Sequence, residues 1–319
     1  MFSSKKSYKP VFRVWIAALF FILSCSARFY GQELPACQMY LLNPALVNPA
    51  IIGCKDCSEI NLLDRHQWIG SFKGAPKTQV LTAETSIKND FRTHGLGLQV
   101  VNDANGAYRE LAAGIGYAFH VTLSRSNNLK LGLGLMATVY QSTYDERDFT
   151  RMNDPIITWG IEREIKPDVY TGVYLYNDKF FTGLSAVQLL AGQSDLAAYR
   201  DARGYFAYGG YNLEVSRLLS LQPGVMVKYL VEQIQSDINA RITYRESYWA
   251  ILSYRHIWRD FPGKPGNLMI YAGLNYNHFT FGFGYDLGLG SIQRFGYGSY
   301  EFKVGYRICP LRKLCPAYQ

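Results

Sequence analysis

The cysteines are the residues whose type and spacing most directly suggest chemistry. Cys54 and Cys57 form a Cys-x-x-Cys pair, and Cys309 and Cys315 lie at the other end of the chain. Thiols of exported proteins form disulfides, and four thiolates can also hold a zinc ion. We expect one or two disulfides that tie the two ends of the chain together, with a four-cysteine zinc site or free thiols as the alternatives. Cys37 is the odd cysteine, which either pairs with a partner or is buried.

The histidines do not form a recognisable metal site. No two of them have the spacing that places metal ligands on one face of a helix. The five are His66, His94, His120, His256 and His278. The chain also lacks a Gly-x-Ser-x-Gly nucleophile elbow, a Walker loop and a Gly-x-Gly-x-x-Gly dinucleotide motif. We therefore predict no catalytic residue, no cofactor and no metal, and a lipase built from Ser, His and a polar residue is the enzymatic alternative.

The N-terminal 31 residues have the pattern of an export signal. Basic residues precede the apolar run 14–23, and small residues follow at 24–27. We predict that residues 1–31 are a signal peptide and that the mature chain is exported. Cys25 follows Ile22, Leu23 and Ser24, so it is either a lipidated lipoprotein cysteine or a residue discarded with the signal.

The positive charge of the chain belongs largely to that signal. Five basic residues lie within residues 1–31, so the formal charge of +8 falls to +3 without them. The mature chain has no basic cluster with interleaved aromatic residues, which is the pattern that nucleic-acid binding needs. The composition therefore gives no support for a nucleic-acid partner.

Long segments of the mature chain alternate apolar and polar residues with a period of two. Clear examples are 129–139, 279–289 and 300–308. Such alternation is typical of half-buried strands, and it occurs both in soluble sandwiches and in membrane barrels. Beyond the signal no apolar run of about 18–20 residues occurs, so no single helix could span a bilayer. A membrane protein with this sequence must therefore cross with strands.

The lengths of the strands and of their connections favour a membrane barrel. Many predicted strands have about ten residues, which matches a tilted crossing of a bilayer and exceeds the usual length in soluble proteins. We count about fourteen strands over 59–308. When the connections between them are numbered in chain order, the long ones, 142–168, 189–203 and 258–266, all have odd numbers, so they lie on the same side of the sheet. This pattern predicts an all-β, antiparallel outer-membrane barrel with both termini in the periplasm, a first strand paired with the last, and a periplasmic tail at 309–319.

The segment 32–58 differs from the strands that follow it. It contains two Asn-Pro pairs, Asn43-Pro44 and Asn48-Pro49. Proline lacks an amide donor and favours extended geometry in the residue before it, so neither pair fits inside a helix. We predict an irregular N-terminal segment that either enters the lumen as a plug or lies beneath the barrel to meet a periplasmic partner.

The same stretch and the strands after it resemble a known family. A tyrosine and two Asn-Pro pairs precede Arg-x-Gln-Trp-x-Gly, Gly-Ala-Pro-x-Thr-Gln, Gly-Leu-Gly-Leu and Val-Asn-Asp. The matched residues are Tyr40, Asn43, Pro44, Asn48, Pro49, Ala50, Gly53, Arg65, Gln67, Trp68, Gly70, Gly74, Ala75, Pro76, Thr78, Gln79, Gly95, Leu96, Gly97, Leu98, Val101, Asn102 and Asp103. As a set they resemble the PorP/SprF family of outer-membrane proteins of the type IX secretion system, over about a third of the chain.

The resemblance implies a role in protein secretion and gliding motility through contact with other proteins. The implied partners are secreted adhesins, or the periplasmic ring and the peptidoglycan-linking lipoproteins of the secretion system, with lipid around the barrel. The alternative function is an outer-membrane diffusion channel for small or hydrophobic solutes. The charged connection 142–168 is a candidate protein-contact surface, or a solvated loop that only caps the barrel.

Overall fold

The chain folds as a β-barrel in the computed structural model. The structure describes residues 35–55, 57–70, 74–89, 92–145, 160–190, 203–230, 233–258, 266–289 and 297–308. Three short 3-10 helices, Pro35–Leu41, Pro44–Leu46 and Pro49–Ile51, precede the strands. No helix within these ranges is long and apolar enough to cross a membrane.

Strands account for nearly all of the remaining described residues. They are β1 (Ser58–His66), β2 (Lys77–Asn89), β3 (Arg92–Asn105), β4 (Tyr108–Ser124), β5 (Leu129–Asp145), β6 (Ile161–Tyr176), β7 (Phe180–Val187), β8 (Gly204–Tyr211), β9 (Leu213–Ser216), β10 (Leu219–Leu230), β11 (Gln233–Tyr244), β12 (Tyr248–Ile257), β13 (Asn267–Tyr276), β14 (Phe279–Gly288) and β15 (Ser299–Ile308). Each is antiparallel to its neighbours in the sheet.

The sheet closes on itself. β15 pairs with β1 from Ser58↔Ile308 to His66↔Tyr300, and β10 pairs with β11. β8 and β9 both pair with β10 and are separated only by Asn212, so together they occupy one strand position. The predicted closed antiparallel barrel with fourteen strand positions and a paired first and last strand is therefore confirmed.

The two faces of the barrel have the polarity that a lipid-embedded sheet requires. On β5, Leu133 and Leu135 are about half exposed on the outer face, whereas Thr138 is buried on the inner face. Charged side chains are among the most deeply buried residues, with Lys228 and Asp237 at 0% exposure. A water-soluble sandwich would have the opposite arrangement, because its apolar face would be buried. The outer face is therefore a lipid face and the inner face is a polar lumen.

The connections fall on two rims of unequal character. We call one the short-turn rim, because its connections have two to four residues each: 90–91, 125–128, 177–179, 217–218, 245–247 and 277–278. Ser58 and Ile308 lie on the same rim, since they are paired at the ends of β1 and β15. The opposite rim, which we call the long-loop rim, carries the connections 146–160, 188–203 and 258–266.

The predicted boundaries of the longest connection were wrong. The sequence indicated a loop over 142–168, but β5 continues to Asp145 and pairs there with Ile161, the first residue of β6. Glu162 and Glu164 therefore lie in a strand, and residues 146–159 lie outside the described part of the chain. Neither face is buried in the described ends of the two strands, because residues 143–145 are partly exposed and residues 161–163 are exposed. The alternation is therefore lost where the charged residues begin, and the strand resembles a loop in sequence.

Closure predicts a specific cross-link between the first and last strands. Leu62 and Val304 are directly opposite each other on β1 and β15 and both face outward. Opposed Cα atoms of antiparallel strands lie about 4.5–5.5 Å apart, which a disulfide can bridge. We expect the double variant Leu62→Cys with Val304→Cys to form an intramolecular disulfide on mild oxidation, detected by peptide mass mapping.

A matched pair provides the control for this cross-link. Phe281 is opposite Val304 on β14, so it lies one strand further from Leu62, at about 10 Å. Leu62→Cys with Phe281→Cys should therefore give no bridge. Equal bridging in both variants, or none in the first, would contradict the paired seam.

Candidate functional site

The stretch from Gln38 to Lys55 lies inside the barrel, and we call it the lumen segment. Its apolar residues Leu46, Val47 and Ile51 are almost completely buried. Gln38 contacts Arg255, two residues from the end of β12 at the long-loop rim. At its other end Lys55 contacts Glu59 beside the paired strand ends at the short-turn rim. The segment therefore runs along the lumen from one rim to the other, and of the two predicted positions it takes the one inside the barrel.

The two Asn-Pro pairs shape this segment. Asn43 and Asn48 each have extended backbone, and each is followed by a proline in the first turn of a 3-10 helix. Each asparagine Oδ1 accepts a hydrogen bond from the amide two residues later, at 3.2 Å for Ala45 and 2.9 Å for Ala50. The sequence argument predicted that neither Asn-Pro pair fits inside a helix, but Pro44 and Pro49 are each the first residue of a short 3-10 helix. It missed that an asparagine cap followed by proline starts a short helix well.

The same asparagines fasten the segment to the wall. Asn43 Nδ2 donates to Thr82 Oγ1 on β2 at 2.9 Å. Asn48 Nδ2 donates to the Val173 carbonyl of β6 at 3.1 Å and to the Tyr208 hydroxyl of β8 at 3.0 Å. An asparagine side chain has one acceptor and two donors, so a single residue both caps a helix and anchors it.

Glycines in the wall give the lumen segment its space. A Cβ at Gly95 would overlap the Ile52 carbonyl, one at Gly134 would overlap the Pro49–Ala50 backbone, and one at Gly172 would overlap the Asn48 side chain. Glycine permits this approach because it has no side chain. These in-strand glycines therefore face the lumen, and their role is to admit a second layer of backbone.

A buried charge cluster holds the segment near the long-loop rim. Asp237 on β11 is paired with Lys228 at 2.8 Å and with Arg255 at 2.9 Å. Tyr40 of the segment donates its hydroxyl hydrogen bond to the same carboxylate at 2.9 Å, and its ring lies under the Lys228 ammonium at 4.8 Å. The neutral Tyr40 hydroxyl therefore connects the segment to the charge cluster of the wall.

A second set of contacts holds the segment near the short-turn rim. Lys55 pairs with Glu59 and lies 3.8 Å from Glu84. His120 Nε2 lies 2.9 Å from the Ile52 carbonyl, which can only accept, so this nitrogen is the donor and Nδ1 accepts from the Tyr176 hydroxyl.

Between these ends, wall side chains donate to carbonyl groups of the segment. Lys303 Nζ donates to the Leu42 carbonyl at 2.7 Å, and Ser185 Oγ donates to the Val47 carbonyl at 2.6 Å. Short 3-10 helices leave such carbonyls without internal partners. Side chains from the wall therefore satisfy the backbone of the segment.

A third charge cluster crosses the seam where the barrel closes. Arg65 of β1 pairs with Glu301 of β15 and, at 3.0 Å, with Asp286 of β14. These side chains are almost fully buried in the lumen. One arginine therefore connects three adjacent strands across the joint between the first and last of them.

The rest of the sequence motif builds the first connection, at the long-loop rim. The Gln67 amide donates to the Pro76 carbonyl at 2.9 Å, which closes this connection at its base. Trp68 and Gly70 have positive φ, and a side chain at Gly70 would contact Tyr297. On the neighbouring strand Asp103 accepts from Thr78 Oγ1 at 2.6 Å, and Asn102 Nδ2 donates to Gln79 at 3.2 Å.

The motif thus separates into two places rather than one site. Asn43, Pro44, Asn48, Pro49 and Gly53 belong to the lumen segment. The first connection and its flanking strands contain Gln67, Trp68, Gly70, Pro76, Asn102 and Asp103.

The cysteines are described only in part. Cys54 and Cys57 are buried and each takes part in a disulfide. Cys25, Cys309 and Cys315 lie outside the described residues, so a disulfide that joins the two ends of the chain stays a prediction. Within the described part of the chain, no group of three His, Cys, Asp or Glu side chains could hold a metal ion.

Sequence reasoning missed the ionisable residues that fasten the segment. His120, Lys228, Asp237 and Arg255 lie far apart in the chain and match no motif. Their only signal is position, because each is an ionisable residue on the inward face of an alternating strand. Such residues mark contacts inside the lumen, since they are expensive to bury without partners.

The packing of the segment against wall glycines predicts the effect of a methyl group. Gly134→Ala would place a Cβ within the Pro49–Ala50 backbone. We expect this variant to lose about 1–3 kcal/mol of unfolding free energy, the usual cost of overpacking, and to make the lumen segment more sensitive to protease. The measurement is urea unfolding of the refolded barrel in detergent, with limited proteolysis in parallel.

A second glycine in a strand serves as the control. A Cβ at Gly288 has no heavy atom within 4 Å, so Gly288→Ala should be neutral or slightly stabilising. Equal stability of the two variants would mean that the segment is not packed against β5 as described.

Solved structures with a similar fold are outer-membrane transporters and channels. The toluene transporter TbuX of Ralstonia pickettii superposes with a TM-score of 0.50 at 7% identity over 84% of this chain and 92% of that chain. The TodX monoaromatic hydrocarbon channel, as a deltaS2 mutant, gives a TM-score of 0.48 at 9% identity over 84% and 92%. A Pseudomonas aeruginosa FadL homologue gives 0.46 at 10% identity over 84% and 93%. At these identities the likeness to TbuX shows a common fold and nothing more.

The sequence itself identifies the family. A search of curated protein sequences gives no significant match. The family model described as type IX secretion system membrane protein PorP/SprF matches residues 30–306. This match covers most of the chain and extends well beyond the N-terminal motif in which the resemblance was first visible. The chain therefore belongs to the PorP/SprF family of type IX secretion system membrane proteins, and it is an integral outer-membrane β-barrel.

Proposed function

We propose that this barrel acts in type IX secretion by protein–protein contact and not as a solute pore. Its partners are secreted adhesins or other cargo, or the periplasmic ring and the peptidoglycan-linking lipoproteins, or both. In this proposal the protein is not an enzyme. The observation that carries it is the lumen segment, which occupies the lumen from rim to rim and is fastened to strands around the barrel.

The fastening of the segment argues for a fixed scaffold. Displacing it would separate the Asp237 cluster from Tyr40 and the Glu59 carboxylate from Lys55. Breaking a buried ion pair by removing one partner costs about 3–5 kcal/mol. Contacts with other proteins are then made by the two rims, because the outer wall faces lipid and the lumen holds the segment.

The two rims suggest two kinds of partner. Outer-membrane barrels place short turns in the periplasm and long loops outside. We therefore place the short-turn rim, with the ends of β1 and β15, in the periplasm, where a ring or lipoprotein could bind. The long loops would face the cell surface, where cargo is displayed.

The alternative of a diffusion channel has one feature in its favour. A cavity remains between the lumen segment and the wall, and it is lined by Tyr40, Phe181, Tyr208, Met226 and Ile251 among others. Such a mixed aromatic and aliphatic lining suits a small apolar solute. This cavity is small, and the segment beside it is fastened to strands around the barrel. The cavity is therefore a weaker basis for a function than the segment itself.

The first prediction of this proposal concerns cargo. Deleting the gene should deplete one or more signal-bearing proteins from the cell surface and the culture supernatant and leave them in the periplasm. Quantitative proteomics of these fractions, compared with a complemented strain, measures this. A tagged copy of the barrel should retain ring components or an adhesin after gentle detergent extraction.

The pattern of loss distinguishes the versions of the proposal. Loss of many cargoes together with retention of ring components supports a general secretion role, and loss of one adhesin supports a dedicated anchor. Unchanged fractions with nothing retained on the tagged barrel would overturn the secretion proposal.

The second prediction concerns conductance. The purified barrel should conduct poorly in planar bilayers, because the lumen segment occupies its interior. Replacing residues 38–52 with a Gly-Ser linker of equal length removes the anchors without shortening the chain. We expect about a tenfold or greater rise in single-channel conductance, because a barrel of this strand number encloses more than its own side chains.

The controls for conductance are the unmodified barrel and the Gly288→Ala variant, whose site has no neighbours. Both should conduct equally little. Steady, large conductance of the unmodified barrel, equal to that of the linker variant, would show an open lumen and make the channel function the better one.

A further inference from the structure

A small polar pocket lies inside the barrel close to the short-turn rim, and we call it the rim pocket. Its polar lining comes from the inward faces of five strands: Arg241, Trp249, Asn275, Thr280, Lys303 and Arg307. Leu41, Leu42 and Pro44 of the lumen segment form the rest of the lining. Apart from Lys303, each polar residue lies within a few positions of a strand end at this rim.

The rim pocket is accessible from that rim. Arg241, Asn275 and Arg307 are only partly buried, whereas Trp249 is 5% exposed and lies deeper. The three partly buried residues form the entrance and the tryptophan forms the inner wall. Because all of these side chains point into the lumen, a lipid headgroup in the surrounding membrane cannot reach them.

The charge cluster around the rim pocket is unbalanced. The basic residues are Lys55, Arg241, Lys303 and Arg307, and the acidic residues that face them are Glu59 and Glu84. Two positive charges are therefore in excess. Towards the long-loop rim, by contrast, the three buried basic residues Arg65, Lys228 and Arg255 each pair with a carboxylate of the chain, namely Asp286 and Glu301 for Arg65 and Asp237 for the other two.

Arg241 carries one of the two excess charges. Its guanidinium lies over the Trp249 ring at 4.8 Å, and it has no acidic partner among the described residues. Its Nε and the Trp249 Nε1 are both buried donors without an acceptor in that part of the chain. Arg307 and Lys303 both lie near the Glu59 carboxylate, at 3.3 Å and 3.9 Å, so one carboxylate is shared between two cations.

We propose that the rim pocket binds a carboxylate from an acidic peptide segment that enters the lumen at the short-turn rim. A planar guanidinium held flat on an aromatic ring presents its edge to a carboxylate, and the indole N–H adds a second donor. Arginine and tryptophan are also enriched among the residues that contribute most to binding at protein interfaces.

The described chain itself offers no such carboxylate, and the C-terminal segment is a poor candidate. Residues 309–319 contain Arg312 and Lys313 and no acidic side chain. An acidic segment of another protein fits the charge better. That this protein is a periplasmic secretion component rests on the proposed function. Binding of an acidic peptide to the pocket does not, because it is measured on the isolated barrel.

The test uses the purified, full-length barrel in detergent and a fluorescent hexaglutamate peptide with an amidated C-terminus. We expect saturable binding that weakens as salt increases. Arg241→Gln should weaken it about tenfold, which corresponds to about 1.4 kcal/mol for the loss of one desolvated charge contact. Trp249→Phe keeps an aromatic ring for stacking but removes the indole N–H donor, and it should weaken binding by a smaller factor.

Arg245 provides the matched control. It lies four residues from Arg241 at the same rim, but it is exposed in the turn and stacks on Tyr244 outside the pocket. Arg245→Gln removes the same charge and should change the affinity less than twofold. Heat-modifiability on gels verifies that each variant is folded before it is compared.

Three results would overturn the proposal. They are equal weakening by Arg241→Gln and Arg245→Gln, absence of saturable binding at low salt, and binding of free acetate or phosphate as tightly as the peptide. The first would indicate general charge attraction, and the last a site for small anions. Each is independent of the secretion experiment, so the pocket and the secretion role can fail separately.

Discussion

The absence of water in the bilayer is the constraint on which the rest of this structure depends. An unpaired amide or carbonyl group in lipid costs several kcal/mol, so every strand needs a neighbour on both sides. The pairing of β1 with β15 meets that demand for the first and last strands. Closure then produces an interior that lipid cannot reach, and the polar side chains excluded from the outer face are collected there.

In this barrel the enclosed interior is filled by backbone. The lumen segment carries carbonyl groups that its own short helices leave unpaired, and Lys303 and Ser185 donate to two of them. The glycines opposite it allow backbone to approach backbone, and the asparagines supply bonds to the wall. The glycines and donor side chains of the strands and the asparagines of the lumen segment therefore belong to one packing arrangement.

Much of this could be predicted from sequence because the signals are local. The alternation of Leu133, Gly134 and Leu135 indicates directly which residues face outward and which face the lumen. The lengths of the connections indicate which rim carries the long loops. The asparagine–proline pairs also excluded a continuous helix. The predicted extent of β5 and β6 was wrong because neither face is buried in the described ends of these strands. Charged residues then replace the alternation by which a strand is recognised.

The charge clusters could not be predicted, because each joins residues whose sequence separation carries no pattern. Tyr40 and Asp237 lie 197 positions apart, and Arg65 and Glu301 lie 236 apart. Only the register of a closed barrel determines which inward residues meet. The clusters nevertheless differ in a way that matters for function. Towards the long-loop rim the buried cations Arg65, Lys228 and Arg255 each pair with a carboxylate of the same chain. Towards the short-turn rim cations exceed carboxylates, and a surplus cation in a partly desolvated pocket is stabilised by a carboxylate from outside the chain.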